Sequence, residues 1–276
     1  MKENVNLSIP HSAFRIPHSS FPNTECFVSI DAIVFDLGGT LVEYAGPYGT
    51  WPELETPGLQ AAYDHLVAQN GRLPEFARFR DAGFALLPGR WETAVAGGQN
   101  LRLLDLLGDI LHTCCGQNGI QPGWLVEAAE LYQAAICAQA HPLPGAAETL
   151  AQVKAAGYKI GLLSNTMFTG AAHIADLRRF GLDGYFDAML FSADAGKWKP
   201  QPDPYWHVLE ELGVAPERAI FVGDAPEHDI VGAHAAGMRA ILIRSSQRFH
   251  LPPHLTPDAT IHQLDELPGV LKNLFA

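Results

Sequence analysis

Ala32-Ile33-Val34-Phe35-Asp36-Leu37-Gly38-Gly39-Thr40-Leu41 is the stretch that decides the fold. A short, mostly apolar run from Ile30 to Phe35 stops at an acid and turns on two glycines, which reads as a buried strand breaking into a tight loop. Further short apolar runs follow at Tyr158 to Leu163, Ala188 to Phe191, Ala219 to Val222 and Ala240 to Ile243. Helical patterns lie between them, at Ala146 to Ala156, Ala171 to Phe180, Tyr205 to Leu212 and Ile230 to Ala236. Strand alternating with helix predicts an α/β fold on a doubly wound parallel sheet. Such sheets bind ligands beyond the carboxyl ends of their strands, so residues that carry chemistry are expected there.

That expectation selects a short set. Asp36 ends the first strand, Ser164-Asn165 the second, and Lys199-Pro200 lies on the loop after the third. Asp224 follows Gly223 at the end of the fourth, with Asp229 beyond it. A lone acid at a strand end is commonly a turn or helix-cap residue. Their joint order points instead to one shared site. Asp203, ahead of Pro204 and a helical pattern, is expected as a helix N-cap.

Residues 46–141 read differently, as helices throughout: Leu59 to Ala68, Phe76 to Leu86, Leu101 to Cys115 and Leu125 to Ala138. Leu101, Leu104, Leu107 and Leu111 repeat at helical spacing, as do Leu125, Ala128, Leu131 and Ala135, and both stripes are expected to pack between helices. A helical block between the first strand and the rest of the sheet reads as an inserted domain, and Pro142-Leu143-Pro144-Gly145 marks the return to the core.

Composition excludes some functions. The chain has 276 residues, 18 Lys plus Arg against 30 Asp plus Glu, and a formal net charge of −12, with no basic run to meet nucleic acid. No stretch approaches the ~18 consecutive apolar residues of a membrane span. Cys26, Cys114, Cys115 and Cys137 include an adjacent pair and no C-x-x-C, a pattern that suits a reducing, cytoplasmic compartment and offers no zinc spacing. Residues 1–28 stand apart: Ile9-Pro10-His11-Ser12-Ala13-Phe14 recurs as Ile16-Pro17-His18-Ser19-Ser20-Phe21, interrupted by prolines, and is expected to form a tail without regular structure.

The ordered set resembles the haloacid dehalogenase superfamily, whose members are mostly magnesium-dependent phosphatases. The resemblance is carried by Ala32 to Leu41, by Ile160-Gly161-Leu162-Leu163-Ser164-Asn165 and by Lys199-Pro200-Gln201-Pro202-Asp203-Pro204. It ends with Phe221-Val222-Gly223-Asp224-Ala225-Pro226-Glu227-His228-Asp229-Ile230. It implies a Rossmann-like catalytic core over residues 29–45 and 142–276 with a helical cap at 46–141. It also implies a nucleophile at Asp36 that forms an aspartyl-phosphate. Mg2+ would be held by Asp36, the Gly38 carbonyl and Asp224, while Asp229 supports the metal through water or orients Lys199. Ser164, Asn165, Gly39 and nearby backbone N–H groups would bind the transferring oxygens, Lys199 would supply positive charge, and Thr40 would fix the loop. On the family pattern Glu227 and His228 are variable positions, and Lys197 is a weaker candidate than Lys199. The implied substrate is a small phosphorylated metabolite, handled by a monomer or homodimer. Of the cap cations, one among Arg72, Arg78, Arg80, Arg90 and Arg102 would be able to reach a second anionic group on it.

One position departs from the pattern. Most phosphatases of this family carry a second Asp two residues after the nucleophile, which protonates the leaving oxygen and then activates water; here that residue is Gly38. Losing such a group typically costs ~10²–10⁴ in rate. The metal-independent 2-haloacid dehalogenase branch also lacks this Asp, so dehalogenation stands as an alternative, as does a non-catalytic phosphate-binding scaffold. Cleavage of phosphonates requires a cap lysine, and residues 46–141 contain none. A phosphosugar mutase needs the missing Asp for its proton transfer.

Overall fold

The computed structural model describes residues 29–44, 50–69, 72–116, 120–244 and 249–274; the repeated segment within 1–28 lies outside them. Six parallel strands form the central sheet: β1 (Ala32–Phe35), β4 (Lys159–Ser164), β5 (Ala188–Phe191), β6 (Ala219–Gly223), β7 (Arg239–Ile243) and β8 (Ala259–Ile261), ordered β5-β4-β1-β6-β7-β8. The chain runs outward from β1 through β4 to β5, then crosses back to β6, β7 and β8. The order therefore reverses beside β1, where a crevice opens beyond the strand ends.

Alternation within the strands builds a core on each face. Ile33 and Phe35 of β1, Ile160 and Leu162 of β4, and Ile220 and Val222 of β6 pack with α5 (Ala146–Ala155), α6 (Gly170–Arg179) and α10 (Leu267–Leu274). Ala32, Val34, Leu163, Ala219 and Phe221 face the other way, onto α8 (Pro202–Leu212) and α9 (Val231–Ala235). A short helix, α7 (Ser192–Ala195), follows β5 directly. β8 and α10 carried no sequence expectation; both are short.

A second, two-stranded antiparallel ribbon joins β2 (Val42–Tyr44) to β3 (Ala140–Pro142), and it too went unpredicted because three-residue strands leave no periodicity to read. Between its strands the described residues form four α-helices, α1 (Thr56–Ala68), α2 (Phe76–Val95), α3 (Leu103–Cys115) and α4 (Pro122–Cys137), with a 3-10 turn at Glu53–Glu55 ahead of them. Their apolar cluster also takes in Met167, Phe168 and Trp198, which sit on loops of the sheet. No helix among the described residues is long and apolar enough to cross a membrane.

Several local expectations need correction. The second helix does not stop near Leu86 but runs through Pro88 to Val95; the hydrogen bond lost at proline is outweighed by burial of Phe79, Leu87 and Ala94 on one face. The third buries Leu103, Leu106, Leu107, Ile110, Leu111 and Cys114, while Leu104 faces out at 36% exposure. The fourth buries Ala128, Tyr132 and Ile136, leaving Leu131 at 44%. Leu101, Leu107, Leu111 and Ala128 pack inward as the spacing predicts, while Leu104 and Leu131 do not, because both segments are apolar on more than one side. Asp203 is not an N-cap: α8 starts at Pro202 with Gln201 before it, which puts Asp203 in the first turn, facing the positive end of the helix dipole.

Candidate active site

The strand ends assemble the site. Asp36 directly follows β1, and its amide donates to Val222 O of β6 at 2.9 Å. The loop after it curls on itself, because the Leu37 carbonyl accepts the amides of Leu41 and Val42 at 2.9 Å and Gly39 takes φ 86°. Thr40 N donates to the same carbonyl at 3.3 Å, but the buried Thr40 hydroxyl has no protein partner among the described residues. The fixing of this loop is thus a main-chain affair.

Lys199, only 2% exposed, reaches from the loop before α8 into the centre. Its Nζ donates to Asp36 Oδ1 and to Asp229 Oδ1, each at 2.7 Å. Asn165 holds the lysine's main chain: its Oδ1 accepts Lys199 N at 2.8 Å and its Nδ2 donates to Lys199 O at 2.9 Å. The Asn165 side chain, expected at the substrate, is therefore committed to positioning Lys199. Ser164 ends β4 and is buried beside this loop. Asp229 sits in a π-helical turn, Pro226–Ile230, and its second oxygen accepts Ala225 N at 2.9 Å. Gly223 permits that approach, since a Cβ there would collide with the Asp229 carboxylate.

Asp36, Asp224 and Asp229 are all buried and offer carboxylate oxygens within 4.8 Å of one another. Three buried carboxylates converge here, two of them paired with the Lys199 ammonium. Such burial is costly unless a cation joins it. The donors are all oxygen, which is the ligand chemistry of Mg2+, so the residues fit that metal. Burial pushes the Asp36 carboxyl up, opposed by Lys199 and reinforced by Asp229. For Lys199 burial works against the charge, but Asp229 and Asp36 outweigh it and hold the ammonium above its usual range.

Sequence reasoning passed over several neighbours. His228 was set aside as variable; burial, aided by the Lys199 charge, lowers its pKa to about 4. Tyr44, Thr166 and His173 form a hydrogen-bonded chain, buried at Thr166 and His173, beside the loop after Asp36, and no spacing signal marked them. Of the arginines between β2 and β3, Arg80, Arg90 and Arg102 pair with Asp81, Asp109 and Asp105. Lys197 contacts His207 rather than the centre.

A family model described as haloacid dehalogenase-like hydrolase matches residues 30–237. The glyceraldehyde 3-phosphate phosphatase of Methanopyrus kandleri is 29% identical over 157 residues, 56% of this chain and 66% of that protein, so the chain spans just under two thirds of its length. The phosphoglycolate phosphatase of Yersinia pestis is 32% identical over 78% of this chain and 81% of its own. Among solved structures, a 2-haloacid dehalogenase from Pseudomonas syringae pv. Tomato DC3000 is 28% identical with a TM-score of 0.65, covering 88% of this chain and 98% of that one. With a match that begins ahead of β1 and ends past α9, the chain belongs to the haloacid dehalogenase-like hydrolase family.

Proposed function

We propose that the protein is a magnesium-dependent phosphatase of a small phosphorylated metabolite, working through an aspartyl-phosphate on Asp36. The observation that carries this reading is the trio Asp36, Asp224 and Asp229, whose buried carboxylate oxygens lie within 4.8 Å of one another beside Lys199, an all-oxygen set that suits a dication. The phosphatase relatives support it. Helices α1–α4 are then the cap, joined to the core through the β2–β3 ribbon, and they keep bulk water from the phosphoryl group.

Asp36, the Gly38 carbonyl and Asp224 would hold the metal, which when bound neutralises phosphate charge and draws it toward the nucleophile. An Asp36 oxygen attacks phosphorus while the P–O bond to the alcohol breaks, its electron pair leaving on that oxygen. Lys199 stabilises the transferring group, with Asp229 and Asn165 fixing its head and main chain. The Ser164 hydroxyl and neighbouring N–H groups receive the equatorial oxygens. Water then cleaves the acyl phosphate and restores Asp36.

Dehalogenation is the second reading, favoured by Gly38 and by the P. syringae relative. It predicts halide release from 2-haloacids without metal. A phosphate-release screen over metabolites, run with and without Mg2+ and with an Asp36→Asn control, separates the two. Metal-dependent phosphate release that vanishes in Asp36→Asn supports the phosphatase; metal-independent halide release overturns it.

A further inference from the structure

Tyr44 closes β2, and its Cδ2 is the nearest atom to a Cβ built on Gly38, at 3.9 Å. Its ring thus stands beside the position where an acid is missing; burial, then the charges of Cys137, Asp176 and Asp36, hold its phenol well above the usual range. The phenol oxygen lies 2.8 Å from His173 Nδ1, and His173 Nε2 lies 2.8 Å from Thr166 Oγ1. His173 is 3% exposed and packed between Phe168 and Phe191, with ring centroids at 5.8 and 5.3 Å. Burial lowers its pKa to about 4, so the imidazole is neutral and carries one N–H.

Proton accounting places that hydrogen. Thr166 Oγ1 already accepts the Phe168 amide at 3.0 Å, and among the described residues its own proton has no acceptor other than His173 Nε2. Stranding that proton in the interior would leave a buried donor unsatisfied, which is costly. Thr166 therefore donates to Nε2, which leaves Nδ1–H to donate to the Tyr44 oxygen. The Tyr44 proton then has no acceptor among the described residues, and Tyr44, unlike Thr166, is only partly buried.

We propose that Tyr44 donates a hydrogen bond to the leaving-group oxygen of the substrate, and that His173, locked by Thr166, is the positioning residue that turns the Tyr44 hydroxyl outward. The inference rests on the phosphatase reading. As the Asp36–phosphorus bond forms and the ester P–O bond breaks, the electron pair goes to the leaving oxygen. Tyr44 stabilises that charge and keeps its proton, while water supplies the one the alcohol takes.

The test is a series of phosphate monoesters, from aryl to alkyl, turned over by the full chain with Mg2+. Tyr44→Phe lowers kcat on the alkyl ester by ~10², and the loss shrinks as the leaving-group pKa falls. Thr166→Val reproduces that graded pattern without touching Tyr44, because a freed Nε2 lets Nδ1 accept the phenol proton; Thr166→Ser restores it. Equal losses across the series, or none, overturn the assignment. Should Tyr44→Phe lose its near-UV circular dichroism, the Thr166 pair decides alone. A wild-type chain silent on every ester sinks the phosphatase reading itself, whereas an active one with flat losses overturns only the role of Tyr44.

Discussion

Gly38→Asp restores the acid that the family pattern expects, and the structure has room for it. A Cβ at this position meets only Tyr44 Cδ2, at 3.9 Å, which is ordinary van der Waals contact. The Cβ therefore enters without a clash. A positioned acid–base group contributes ~10²–10⁴ in rate, or about 3–5 kcal/mol of barrier. Because Tyr44 already offers a donor there, the gain on alkyl phosphates should fall toward the lower end, ~10², and be larger in a Tyr44→Phe background. The assay is kcat across esters of graded leaving-group pKa. Wild type should depend steeply on that pKa, and Gly38→Asp should flatten the slope. A folded, metal-binding Gly38→Asp protein with unchanged alkyl-phosphate turnover would refute the reasoning, since the missing acid would then not be the limiting part.

Other outcomes follow from the same interactions. Lys199→Met strips the paired ammonium from two buried carboxylates, so it should abolish turnover and, as usual for a broken buried pair, cost ~3–5 kcal/mol of stability, read by urea unfolding. His173 has a folded pKa of about 4, below its unfolded 6.5, so the unfolded chain binds the proton first. Its contribution to stability is full above pH ~6.5 and falls by about 2 kcal/mol on going from pH 7 to 5; His173→Phe should remove that share of the pH slope. Glu55 accepts from the Tyr132 hydroxyl at 3.0 Å, and burial raises its pKa to about 7, above its unfolded value. Stability from that group is present below pH ~4.5 and lost as pH rises through 7, so Glu55→Gln should raise Tm at pH 8 more than at pH 5.

The parallel sheet was legible because each central strand is a continuous apolar run that ends in a residue of a different kind. Asp36, Ser164, Lys199 and Asp224 stand where the chain leaves the sheet, and that is a one-dimensional signal. The Asp229–Lys199 pairing was half legible: both residues were expected at the site, but only the Gly223 gap and the π-helical turn explain how they meet. Helix phase in the insert failed at Leu104 and Leu131, where apolar residues surround the helix and tertiary packing selects the face. Tyr44, Thr166 and His173 were invisible because their hydrogen bonds cross 129 and 7 residues with no shared motif. Asn165 was found for its position and reassigned by its bonds.

The covalent step at Asp36 is the central claim, and mass spectrometry of acid-quenched enzyme during Mg2+-supported turnover tests it most directly. The account predicts that the peptide bearing Asp36 gains the mass of one phosphoryl group, that hydroxylamine removes it, and that Asp36→Asn shows none. Phosphate release at full rate with no adduct on that peptide, or with the adduct on another residue, would contradict it.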